Sequence, residues 1–476
     1  MNGASGPITQ LATHNDLVRR TEQWRAGARL PLDAVIVPAS RPAWNLDQAI
    51  TLARASHCAL LILCSHKAKP AEVHELLADR DFNDAIVVDL PAGYGHKLFD
   101  FRALDSLKVD LPAACSYYSS NLSMKRNVGL VVARMLGWRR IFFLDDDIRD
   151  INPADAHGTV TMLGSCRTAG MRVTRFPDNS VACHAHRMTG GLQDVFVTGA
   201  ALAVNCQQNI GFFPDIYNED WLFFYDDAAH GQLGSSGRIV TQLRYDPFDD
   251  PRRAAWQEFG DVLAEGLYAL LGRGLGFKHA TREYWNDFLY ARHTFLQAIR
   301  ERPEMAALEI RERLLRSVEL AQKCSVGISP EVLERYIRLW RQDLHEWRRR
   351  LAGVSQVRSP DAALRALELA RSTGSRAIDA ARPGPAAEKV RTTLPFSTPD
   401  YYDVFWSGAS QHSEPTPRWE RRGARNGRGA PPARPGSADV QAGGVPAPAR
   451  RGFRNQDRVY APTEASPGRA ASRALM

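Results

Sequence analysis

Three consecutive aspartates, Asp145, Asp146 and Asp147, end the apolar stretch IFFL and are followed by Ile148 and Arg149. Like charges this close repel one another and call for a cation between them. Alternate residues of an extended chain point to one side, so Asp145 and Asp147 are expected to face a single ion together. Oxygen ligands at an open site favour Mg²⁺ or Mn²⁺, with substrate phosphates completing the shell. Other chemistry-bearing groups are the acid pair Glu219 and Asp220 in NEDW, and Lys125, Arg126 and Asn127 in SMKRNVGLVVARMLG. CHAH brings Cys183, His184 and His186 together, and as a strand it would put both imidazoles on one face. No second ligand pair accompanies them at zinc-site spacing, which argues against zinc.

The elements that would position these groups are legible as short apolar runs. DAVIVPAS (33–40), ALLILCS (59–65), DAIVVDLP (84–91) and IFFLDD (141–146) have no polar alternation, as expected of parallel strands buried on both faces. Helical stretches separate them at 44–56, 69–80 and 123–137, and this βαβα order predicts an α/β fold with an open, mostly parallel sheet flanked by helices. Ligands of such sheets bind at the carboxyl ends of strands, where Pro38, Ala39, Ser40 and Arg41, then Ser65 to Lys67, then the aspartates all emerge. DVFVTGAALAVN (194–205) and RIVTQLRYDPF (238–248) read as later strands, the first with a glycine where another group comes close. After Trp256 apolar residues recur at helical spacing to about Ser372, predicting four or five packed helices.

These motifs, in this order, resemble the GT-A fold of nucleotide-sugar glycosyltransferases, and most of all the large family-2-like group. FLDDD about a hundred residues after VIVPAS is similar to the family's DXD strand, SMKRN to its donor-contacting helix, and VTGAALAVN with NEDW to its acceptor-side strand and acid motif. The resemblance covers roughly residues 33 to 250. It implies a Rossmann-like domain, a nucleotide-sugar donor and bound Mn²⁺ or Mg²⁺. Asp145 and Asp147 then match the outer members of DXD, the first near the ribose and the last on the metal, with Asp146 as the variable position. Lys125, Arg126 and Asn127 would contact the donor, and Pro38 to Arg41 and Ser65 would seat the nucleotide. His230 would be a further metal ligand. Asp220 is the expected base for the acceptor hydroxyl, with Glu219 as substitute. The acid often found after the family's second strand is replaced by SHK, which leaves the base identity open.

The chain has 476 residues and a net charge of +8. Residues 415–476 hold twelve arginines against four acids (Glu420, Asp439, Asp457 and Glu464), which accounts for the whole surplus. The basic character therefore belongs to a Pro/Gly/Ala/Arg-rich tail too poor in apolar residues to fold alone. Such a tail is a solvated extension or a site for RNA, an acidic partner or a membrane surface; the rest carries no charge signature of nucleic-acid binding. The expected organisation is an N-terminal extension (1–30), an α/β domain (31–255), a helical region (256–375) that shapes an acceptor site or a homodimer, and the tail (376–476). No run of about eighteen apolar residues occurs, so no transmembrane span is expected. Seven scattered cysteines and no apolar leader suggest a cytoplasmic protein with free thiols.

Two other enzyme classes share parts of the pattern. A haloacid-dehalogenase-like phosphatase also follows an apolar strand with DXD, but wants Thr or Val where Arg149 stands. A sugar nucleotidylyltransferase needs a glycine-rich loop after its first strand, and PASRPAWN has no glycine. A non-enzymatic binding protein working through its arginine tail is the remaining alternative.

Overall fold

The four continuous apolar runs lie side by side at one end of a nine-stranded sheet. In a computed structural model, the structure describes residues 10–20, 30–111, 115, 121–174, 180–194 and 196–373. The chain begins with β1 (Arg19–Arg20) and continues through β2 (Ala34–Val37), α1 (Asp47–Ser56), β3 (Ala59–Cys64), α2 (Pro70–Asp79) and β4 (Ala85–Asp89). Next come α3 (Arg102–Asp110), α4 (Leu122–Met135), β5 (Arg140–Leu144), β6 (Ile148–Arg149), α5 (Pro153–Thr161), β7 (Thr168–Thr174) and α6 (Val181–Met188). Then follow β8 (Val197–Asn205), α7 (Glu219–Phe223), α8 (Tyr225–Ala229) and β9 (Leu233–Gln242). Helices α9 (Arg252–Gly272), α10 (Arg282–Arg300), α11 (Leu308–Gly327), α12 (Pro330–Ala352) and α13 (Pro360–Ala366) complete it.

The strand order is β1-β9-β7-β8-β5-β2-β3-β4, with β6 paired to β9. β8 runs antiparallel to both β5 and β7, β6 is antiparallel to β9, and the remaining pairings are parallel. The expected α/β class with a mostly parallel sheet is thus observed. Alternate strand residues serve opposite faces: Ala34 and Ile36 belong to the core shared with α4, α9 and α12, while Val35 and Val37 belong to the one shared with α1 and α5. The chain's first central strand, β2, lies between β3 and β5, so connections leave it in opposite directions and open a crevice at the carboxyl ends.

Three departures from the sequence reading matter. The segment before β2 joins the sheet: Arg19 and Arg20 pair with Gly234 and Ser235, and His14 is fully buried. CHAH is helical, not extended, because Ser180 caps α6 by accepting from the Cys183 N–H. His184 then packs in the core against Tyr245, while His186 lies against Phe295. Finally, not all cysteines are free. Cys115 and Cys324, 209 residues apart in sequence, form a disulfide; Cys58, Cys64, Cys166, Cys183 and Cys206 are buried thiols. Among the described residues no helix is long and apolar enough to cross a membrane. The tail lies outside the described residues.

Candidate active site

Asp145 continues the β5 ladder by one bond, its N–H donating to Ala200 O at 2.9 Å. The chain then turns, closed by Ile148 N–H donating to Asp145 O at 3.2 Å, and β6 pairs with β9. The three aspartates therefore sit on a turn, and alternation along an extended strand does not apply to them. Each goes a different way. Both oxygens of Asp145 accept from the Arg126 guanidinium at 2.9 and 3.0 Å. Asp146 turns back into the loop after β2, where one oxygen accepts from the N–H groups of Ser40 (2.6 Å) and Arg41 (2.7 Å). Its other oxygen takes the Arg41 guanidinium at 2.6 Å. Asp147 takes the other arm of Arg41 at 2.7 Å and the Gln242 amide at 2.9 Å.

The loop that carries Arg41 is assembled from below. Lys125, fully buried, donates to Ala39 O (2.6 Å) and to Ser40 Oγ (2.8 Å). Ala39 O also accepts from Ser65 N–H, and Ser40 O from Lys67 N–H, so the loops after β2 and β3 are joined. Ser65 Oγ bonds Asn121, which opens α4. Lys125 and Asn127, both expected to contact a donor, have internal partners in this structure. Lys125 is beneath the loop, and Asn127 exchanges two 2.8 Å hydrogen bonds with the backbone of Phe213. Both are internal because α4 is buried along almost its whole length and has no solvated first turn.

Arg126 is likewise internal and bridges two parts of the site. One terminal nitrogen reaches Asp145 and the other Glu219. The glycine expected to admit a close neighbour is Gly199: a Cβ there would lie 2.7 to 3.0 Å from the three terminal guanidinium atoms. The Gly199 N–H also donates to Asp220 at 2.6 Å, and Trp221 N–H holds the second oxygen at 2.9 Å. Asp220 is thus fixed at the start of α7, with one acceptor position left on each oxygen. Trp221, Phe223, Phe224 and Tyr225 are core residues.

Four carboxylates, Asp145, Asp146, Asp147 and Glu219, share two guanidiniums in a site largely shielded from water. Burial outweighs the pull of Arg126 and raises Asp145 to about 6 and Glu219 to about 8. It raises Asp147 as well, against Arg41 and Gln242. For Arg41 and Arg126 burial works the other way, yet the surrounding carboxylates outweigh it and keep both above the ordinary range. Burial lowers Lys125 to about 8, with Asp146 opposing.

His230 is not part of this constellation. It stands just before Leu233, at the start of β9, and bonds Asp226 O at 2.6 Å. Gln242, at Asp147, ends the same strand, and ten residues of strand span about 30 Å. Among the described residues, three His, Cys, Asp or Glu ligand atoms come within 4.8 Å of one another at Cys183, Asp261 and Glu265. There the carboxylates of Asp261 and Glu265, with Glu258, already surround Arg292. The aspartate turn is no closed cage. Its carboxylates do not converge as a ligand trio, but one or two of them could serve a hard divalent ion that fills its shell with phosphate oxygens. Arg41 and Gln242 had no sequence signal linking them to Asp147; only the fold brings them there. No family model matches the chain, and no curated protein does.

Proposed function

We propose that the protein is a metal-dependent glycosyltransferase that moves a sugar from a nucleotide-sugar donor to an acceptor hydroxyl. The observation that carries this reading is the meeting of the loop after β2 with the aspartate turn after β5, at the carboxyl ends of neighbouring parallel strands where connections diverge. The antiparallel β8 beside β5, followed by an acid pair at the head of α7, agrees with the GT-A resemblance. A nucleotide-sugar bond breaks with negative charge growing on the departing diphosphate. Mn²⁺ or Mg²⁺, when held by Asp147 with Asp145 nearby, would supply Lewis-acid stabilisation of that charge.

The chain's own groups have separable tasks. Arg41, half-buried at the loop tip, can present a planar pair of N–H donors to phosphate. Asp146 and Lys125 hold that loop from two sides. Asp220 is the base for the acceptor hydroxyl: burial raises its affinity for a proton, against the Arg126 charge and the N–H groups of Gly199 and Trp221. Glu219 is occupied with Arg126 and fixes the distance between the aspartate turn and α7.

The test is a thermal-denaturation panel of nucleoside diphosphates and sugar donors, each with and without Mn²⁺. One nucleotide should raise the midpoint by about 2–4 °C at a hundred times its dissociation constant, and only with the metal. Metal-independent stabilisation, or none by any nucleotide, would overturn the reading. Asp220→Asn should retain the midpoint shift and lose transfer.

A further inference from the structure

Arg41 holds Asp146 in two chemically different ways. Its backbone N–H is part of the loop and shares an Asp146 oxygen with Ser40 N–H. Its guanidinium is a side-chain fork, one arm on Asp146 and one on Asp147, and the side chain is 40 % exposed. The backbone contacts can persist while the fork leaves, because only side-chain rotation is needed. Asp147 is 5 % exposed, and the fork arm, with the Gln242 amide, occupies an oxygen of the carboxylate that the proposed function gives to the metal.

We infer that Arg41 is a built-in counter-ion that competes with the divalent cation for Asp147 and makes metal binding depend on the diphosphate. This rests on the proposed function and assigns a regulatory task to one residue of that site. A metal arriving alone must displace the guanidinium, which then loses a charge-assisted bond. A metal arriving with a diphosphate offers the displaced fork a new pair of anionic oxygens at the same loop tip. The two ligands therefore bind with positive coupling, and by linkage each strengthens the other to the same extent. Lys125 and Asp146 keep the loop backbone in place during the exchange. The device also guards the site: a divalent ion without a donor is held weakly, and the carboxylates stay neutralised in its absence.

The experiment measures Mn²⁺ binding by the electron paramagnetic resonance of the free ion, in the full chain, with and without inorganic pyrophosphate. Three proteins are compared: wild type, Arg41→Gln and Asp147→Asn. Arg41→Gln should bind Mn²⁺ alone about tenfold or more tightly than wild type, since a charged competitor has gone. Pyrophosphate should tighten Mn²⁺ binding clearly in wild type and by a much smaller factor in Arg41→Gln. Asp147→Asn should lose Mn²⁺ binding in both conditions. If wild type binds Mn²⁺ in an Asp147-dependent way but Arg41→Gln binds it no better, the counter-ion inference is wrong while the metal reading stands. If no protein binds Mn²⁺ even with pyrophosphate, both fail. Arg41→Lys, which keeps the charge and loses the fork, should fall between wild type and Arg41→Gln; it serves as the deciding variant should Arg41→Gln unfold early in a circular-dichroism melt.

Discussion

Replacing Gly199 by alanine tests how firmly Arg126 is fixed between the aspartate turn and the acid pair. The new Cβ would lie 2.7 Å from one guanidinium nitrogen, 2.8 Å from the central carbon and 3.0 Å from the other nitrogen. A flexible side-chain end could usually move aside. Here it cannot do so freely, because Arg126 is 2 % exposed and bound to both Asp145 and Glu219. Relieving the overlap means lengthening or breaking charge-assisted bonds worth about 1.5–3 kcal/mol each. Overpacking a rigid interior costs about 1–3 kcal/mol. The expected destabilisation is about 2–4 kcal/mol, read from urea unfolding at neutral pH. The control is the same substitution in Arg126→Ala, where the atoms met by the new Cβ are gone. There Gly199→Ala should cost less than about 0.5 kcal/mol, and it could even stabilise, because alanine in a strand restricts the unfolded chain more than glycine does. An equal cost in both backgrounds would show that the close approach to Arg126 is not what requires glycine at this position.

Further outcomes follow from other parts of the molecule. Lys125→Met should weaken pyrophosphate–Mn²⁺ binding about tenfold, measured by calorimetry, since it releases Ala39 O and Ser40 from their common donor. Cys115→Ser should lower the unfolding free energy by about 2–5 kcal/mol, because the disulfide closes a loop of 209 residues; equal urea midpoints for the variant and wild type would contradict it. His14, enclosed by Phe196, Trp221, Phe224 and Tyr268, is lowered by burial from its usual value to about 3. Its folded value lies below its unfolded one, so the contribution is complete above about pH 6.5 and declines as pH falls towards 3, by at most about 5 kcal/mol. His14→Leu should flatten that part of the stability–pH curve.

What could be read from the sequence, and what could not, follows from burial. β2, β3, β4 and β5 are visible because both faces are covered and the residues form unbroken apolar runs. β7 is equally central, but TAGMRVT mixes threonine, glycine and arginine among its apolar positions, so no run marks it. CHAH reads as a strand because His184 and His186 alternate, but a stretch this short fits either period and the Ser180 cap decides for the helix. At the site, residue types identified the acidic turn, while side-chain directions depended on a turn at 145–148 that alternation ignores. Lys125 and Arg126 look like a solvated first turn until the sheet, α7 and the β2 loop close over them. Long-range pairs such as Arg41 with Asp147 or Cys115 with Cys324 leave no local trace.

The pairing of Arg19 with Gly234 has a consequence for the order of assembly during synthesis. The segment that leaves the ribosome early has its neighbour strand more than two hundred residues downstream. At about 5–20 residues per second the wait is roughly ten to forty seconds. For most of that interval the imidazole of His14 has no aromatic enclosure, since Phe196, Trp221 and Phe224 come shortly before Gly234 and Tyr268 after it. This segment thus docks only after β9 is made, and a nascent protein halted before β9 would carry strands β2–β5 with the preceding strap undocked.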